Sequence, residues 1–162
     1  MGRMTVASGL AAAGLALASL TLVASAAAAT TSPAQGISAN VSSGPFTIQV
    51  DAQRAAGAPA GSATGDFTAH GALGSLPLFT LRGPVTCLDV RGNRAGLFYP
   101  IRSSDPAVFA KLGSGVFVYF QVSASGKPQL LGFLPVPRSS TTSCAPGLAL
   151  FAVTAGTVVL TS

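Results

Sequence analysis

Val116-Phe117-Val118-Tyr119-Phe120-Gln121-Val122 is the stretch on which the fold turns. Valine, phenylalanine and tyrosine suit a pleated strand, and Gly113 and Gly115 mark where it begins. Alternation puts Val116, Val118, Phe120 and Val122 on one face and Phe117 and Tyr119 on the other. Both faces are therefore apolar, which fits a strand central in a covered sheet or one that lines an apolar lumen.

The same period of two recurs on either side. Downstream, Ser123-Ala124-Ser125-Gly126-Lys127-Pro128 turns the chain, residues 129–136 return, and residues 148–153 and 157–161 close the domain around Ala155-Gly156. Upstream, Phe46, Ile48, Val50 and Ala52 face one way and Thr47, Gln49, Asp51 and Gln53 the other. Residues 66–70, 76–82, 85–90 and 95–101 follow as further strands. Arg91-Gly92-Asn93-Arg94 predicts a hairpin turn in which Gly92 and Asn93 tolerate positive φ. Gly44-Pro45-Phe46-Thr47 and Gly83-Pro84-Val85-Thr86 each read as the opening of a strand, where proline is accepted. One short helix is expected over 105–112, with Asp105 as its cap and Pro106 at its first position. About nine strands with short connections predict an all-β fold, an antiparallel sandwich or an up-and-down barrel.

The chain has 162 residues, 49% hydrophobic and 8% charged, with a formal net charge of +5. Much of the apolar excess lies at the start. Arg3, an uncharged apolar stretch over 5–23 and then Ala24-Ser25-Ala26-Ala27-Ala28-Ala29 follow the order of a secretory signal, with cleavage expected after Ala29. An uncleaved anchor would need about 20 apolar residues and normally bulkier ones, so no stable membrane anchor is expected after cleavage. Residues 30–44 read as a flexible lead-in with a weak strand over 37–41, and residues 45–162 as a single secreted β-domain. Asn40-Val41-Ser42 matches the glycosylation acceptor pattern. The Arg-over-Lys bias and the abundant Ala, Gly and Pro suggest a GC-rich bacterial source, in which that match is chance.

Beyond residue 29 the chain has no Met, Trp or Glu, and its titratable set is poor. Cys87 and Cys144 are the only cysteines, and in an oxidising compartment they are expected to form a disulfide. His70 is the sole imidazole and shares a polar strand face with Asp66 and Thr68. A hydrolase could be drawn from His70 with Asp66 or Asp89, yet no Gly-x-Ser-x-Gly elbow places a nucleophile. Asp51, Asp66, Asp89 and Asp105 sit mainly at strand ends and turns, where aspartate caps backbone groups. One His and scattered Asp lack metal-ligand spacing, so no metal or cofactor is expected. Arg82, Arg91, Arg94 and Arg102 fall on neighbouring predicted strands and their turn, and together would form a basic patch for an anionic cell-envelope polymer. Nucleic acid would ask for denser charge interleaved with stacking aromatics. Phe98, Phe117, Tyr119 and Phe133 are the aromatics expected in the core or around a small apolar ligand.

Gly65-Asp66-Phe67, the run Gly83-Pro84-Val85-Thr86-Cys87-Leu88-Asp89-Val90-Arg91-Gly92-Asn93-Arg94-Ala95, the later Cys144 and the closing Ala155-Gly156-Thr157-Val158-Val159-Leu160 together resemble a group of uncharacterised secreted bacterial proteins, common in actinobacteria. Their core motif is Val-x-Cys-Leu-x-Val-x-Gly-Asn-x-Ala. The resemblance spans roughly residues 45–161 and implies a small exported β-domain; it carries no catalytic assignment. Many members have an Asp-Asn-Gly turn where this chain has Val122-Ser123-Ala124-Ser125-Gly126, so a cation-binding role for that turn does not transfer. The expectation is a secreted, non-catalytic binding or structural module at the cell surface or in the medium. The alternatives are a carrier of a small apolar ligand and, lower, a secreted hydrolase using His70.

Overall fold

The structure, a computed structural model, describes residues 33–72, 78–111, 114–137, 141 and 143–162. The expected export signal over 1–29 lies outside them, as do Leu76, Leu112, Gly113 and Arg138. Among the described residues there are eleven strands in two antiparallel sheets, packed as a sandwich. In chain order they are β1 (Gln35–Ser43), β2 (Phe46–Arg54), β3 (Thr64–Gly71), β4 (Phe79–Pro84), β5 (Cys87–Arg91), β6 (Arg94–Pro100), β7 (Ser103–Asp105), β8 (Ser114–Val122), β9 (Pro128–Pro137), β10 (Phe151–Ala152) and β11 (Ala155–Thr161). The first sheet runs β11-β1-β2-β3-β4-β7 and the second β10-β9-β8-β6-β5.

The alternation of the sequence sets the core. Ile37, Ala39, Val41, Ile48, Val50, Ala52, Phe67 and Val158 point inward from the first sheet, and Leu88, Val90, Leu97, Tyr99, Val118, Phe120 and Leu131 from the second. Burying each large side chain contributes about 1.5–3 kcal/mol. Phe67 and Tyr99 stack across the two layers with ring centroids 3.9 Å apart.

Two strands pass from one sheet directly into the other, side by side. Val85 still donates to Gly65 O of β3, while Thr86 already donates to Phe98 O of β6. In the return direction Ile101 donates to Ser114 O of β8, and Arg102 to Arg82 O of β4. Gly83 makes this possible, because a Cβ there would collide with Pro100 O. The second Gly-Pro motif is therefore a sheet-to-sheet corner rather than a strand opening.

Other expectations are corrected. Most of the supposed lead-in is β1, an interior strand paired with β11 on one side and β2 on the other. The helix spans only Val108–Lys111, and Ser104 Oγ rather than Asp105 accepts the Ala110 N–H near its start. In the β5–β6 turn Gly92 alone takes positive φ (59°) and Asn93 does not, the pattern of a turn with its left-handed residue first. Residues 148–150 are not strand, although Leu150 donates to Leu131 O of β9 just ahead of β10.

Candidate functional site

The two-faced apolar character of β8 comes from a covering segment and not from a lumen. Its inward face meets the other sheet. Its outward face is crossed by the chain from Cys144 to Leu148, which passes over a row of registered residues, Gly96 of β6, Tyr119 of β8 and Gly132 of β9. A Cβ on Gly96 would strike Cys144 O, and one on Gly132 would strike Leu148 O. Gly147 lies against the Tyr119 ring, where a side chain would not fit. All three contacts thus depend on glycine, two in the sheet and one in the strap. Arg94 donates to Gly147 O from below.

The Cys87–Cys144 disulfide fastens the start of this strap to β5; the two Cα atoms lie 6.0 Å apart and the residues are 57 apart in sequence. Both cysteines are buried with Phe98, and Phe117 and Val136 pack against them. Phe98, Phe117 and Tyr119, expected from sequence either in the core or around a small apolar ligand, gather with the disulfide under the strap. Phe98 and Phe117 have centroids 5.0 Å apart, and Phe117 and Tyr119 stack at 6.3 Å.

Phe133 lies elsewhere. It belongs to an apolar cleft of about 90 Å³ between the sheets at one end of the sandwich, lined by Phe46, Ile48, Phe67, Ala69, Phe79, Leu81, Tyr99, Val116, Val118, Phe133 and Pro135. Rings link up around it: Phe151 on Phe133 (4.7 Å), Phe133 on Phe46 (5.1 Å), Phe46 near Phe79 (6.1 Å) and Phe79 near Phe109 (5.7 Å). Leu78, Val108 and Phe151 are exposed nearby in sequence and contact. Phe46, Phe79, Phe109 and Phe151 were not singled out from the sequence, because each is one apolar residue in its own local pattern and only strand register brings them together.

The polar candidates divide between the two sheets: His70, Asp51, Asp66 and Asp105 belong to the first and Asp89 to the second. His70 shares a hydrogen bond of 2.9 Å with Thr80 Oγ1 on the exterior of the first sheet. Asp51 and Asp66 face each other across β2 and β3, and Asp105 ends β7 opposite Thr80. Asp89 belongs to the other sheet and pairs with Arg91 at 2.7 Å, and that hydrogen bond and charge hold the Arg91 guanidinium still more firmly protonated. Among the described residues no three His, Cys, Asp or Glu side chains cluster as a metal site requires.

The four arginines divide between the two sheets. Arg82 and Arg102 meet at the corner of the first sheet, where the backbone of one donates to the other. Arg91 and Arg94 face each other across the β5–β6 hairpin of the second sheet.

The geometry defines a class: a two-sheet antiparallel sandwich with a disulfide-fastened strap over one sheet and an aromatic cleft at one end. Among family models, curated proteins and solved structures, none matches the chain.

Proposed function

We propose that the protein is an exported, non-catalytic binding module whose aromatic cleft takes an apolar side chain from a polypeptide partner, and that it belongs with the secreted bacterial β-domains it resembles. The carrying observation is the cleft itself, wholly apolar in lining and framed by Phe46, Phe79 and Phe133. Its volume of about 90 Å³ sets the size of what enters. Pockets that enclose a whole small molecule hold roughly 300–1,000 Å³. A cleft this small suits one anchoring side chain, the arrangement in which interfaces concentrate their binding energy. The lining has no charged residue to hold a head group, which favours a polypeptide anchor over a lipid.

The division of the arginines between the two sheets weakens the reading as a receptor for anionic polymer. Among the described residues no helix is long and apolar enough to cross a membrane.

Benzene titration followed by NMR tests the cleft. Shifts should gather at Ala69, Val116 and Phe133, and Ala69→Leu, which fills the space from within, should abolish them while the domain stays folded. Shifts elsewhere, or none, would overturn the proposal.

A further inference from the structure

We infer that β11 is a docking edge for a second copy of this chain, joined by antiparallel β11–β11 pairing about a two-fold axis through Val159. An edge strand leaves a row of backbone N–H and C=O groups unpaired, and proteins usually blunt such edges with charge, proline, shortness or a cover. The four edges of this sandwich differ in that respect. β5 is covered by the 3-10 turn Ala60–Ser62 and by Gln35, whose side chain bonds both to the N–H and to the C=O of Val90. β10 is two residues long and β7 three. β11 runs for seven residues, is the last strand of its sheet, and contains neither proline nor a charged side chain. Val159 on it is 62% exposed.

The sequence of the edge selects the occupant. An isologous contact needs a surface that complements itself under the two-fold. Thr157-Val158-Val159-Leu160-Thr161 does so when read in opposite directions. Val159 falls opposite Val159 of the second copy, Val158 opposite Leu160, and Thr157 opposite Thr161. Threonine–threonine and β-branched pairs are favourable across strands. Two molecules of net positive charge repel each other in general, but neither β11 nor its neighbour β1 holds a charged residue, so no like charges meet at this seam. A hollow of about 440 Å³ beside the strand, walled by Val122, Ala124, Val158 and Leu160, receives the inward side chains of the added strand. The single-strand seam buries less than the roughly 1,200 Å² of a standard interface, so the dimer is weak and concentration-dependent.

Sedimentation velocity on the exported chain, with its disulfide intact, should show the mass shifting from monomer to dimer as concentration rises to about 1 mM, where weak interfaces associate. Val159→Lys and Val159→Glu should each keep the wild-type melting temperature and remain monomeric, because each sets a charge against its own copy. Mixing the two variants should restore the dimer, since opposite charges then meet at the axis. A wild type monomeric at every concentration would leave the edge to some other extended partner and overturn the second copy. A dimer untouched by either charge, or one not restored in the mixture, would equally overturn the β11 seam. Neither result bears on the benzene shifts at the cleft.

Discussion

Gln35 and Val90 are paired as two strand residues would be, although one uses its side chain. Gln35 Nε2 donates to Val90 O at 2.8 Å, and Val90 N donates to Gln35 Oε1 at 2.9 Å. Both bonds are buried and join the first strand of one sheet to the edge strand of the other. The carboxamide, carried by glutamine and asparagine alone, is the uncharged side-chain group that sets a donor and an acceptor side by side in this geometry.

Gln35→Ala should therefore cost more than an ordinary hydrogen-bond deletion. It strands a donor and an acceptor on β5, each with a penalty of about 1–3 kcal/mol when left unpaired. A loss of roughly 2–4 kcal/mol in urea unfolding is expected. Gln35→Glu should recover only part of it, because a carboxylate accepts from Val90 N but cannot donate to its carbonyl. Equal stability for the wild type and the alanine variant would show that water replaces the clasp.

The strap predicts a non-additive pair. Gly96→Ala forces a methyl group into Cys144 O, an overpacking that costs about 1–3 kcal/mol. Replacing Cys87 and Cys144 by alanine removes the closure of a long loop, at most roughly 4 kcal/mol in the chain-entropy picture. With the disulfide gone the strap can lift, so the cost of Gly96→Ala should shrink in that background. Chemical denaturation of the four members of the cycle measures the coupling, and strict additivity would mean the strap stays seated without its covalent anchor.

Legibility followed how local each signal was. β2 and β8 could be read because their alternation is written in large residues, from Phe46 to Ala52 and from Val116 to Val122. β1 has the same alternation in Ile37, Ala39 and Val41, but with small polar residues between them, and its stability comes from pairing on both sides. The disulfide followed from compartment and cysteine count. The strap did not, because it depends on glycines at 96, 132 and 147 that meet only through strand register. Leu148 and Leu150 made that segment look like strand, yet both are 73% exposed. The cleft was hidden for a related reason: its rings come one each from β2, β3, β4, β6 and β9, and only strand pairing and layer packing bring them together.

The two tyrosines should titrate separately. Burial pushes the Tyr99 phenol strongly upward, and partial burial raises Tyr119 as well. The unfolded chain releases a phenolic proton near pH 10, whereas folded Tyr99 retains it. The stability this represents is fully present below about pH 10 and is lost as pH rises toward the folded value, by up to about 1.4 kcal/mol per pH unit. Absorbance near the phenolate band should show Tyr119 ionising first and Tyr99 only as the fold is lost. In a Tyr119→Phe variant the phenolate signal should coincide with the loss of circular dichroism. Ionisation of Tyr99 ahead of unfolding would mean that its hydroxyl reaches solvent.

Asp51 and Asp66 stand directly opposite each other on the exposed face of β2 and β3. Like charges in that position destabilise a sheet by about 0.2–1 kcal/mol, and among the described residues neither aspartate forms an ion pair to offset the repulsion. Asp51→Thr should therefore raise the melting temperature, since it removes the repulsion and places a strand-favouring residue in the row. Asp66→Asn should act in the same direction by removing charge alone. The gain should fade at high ionic strength, where exposed charges are screened in the wild type. If both variants instead lower the melting temperature at every salt concentration, repulsion between the two carboxylates does not limit the stability of this sheet.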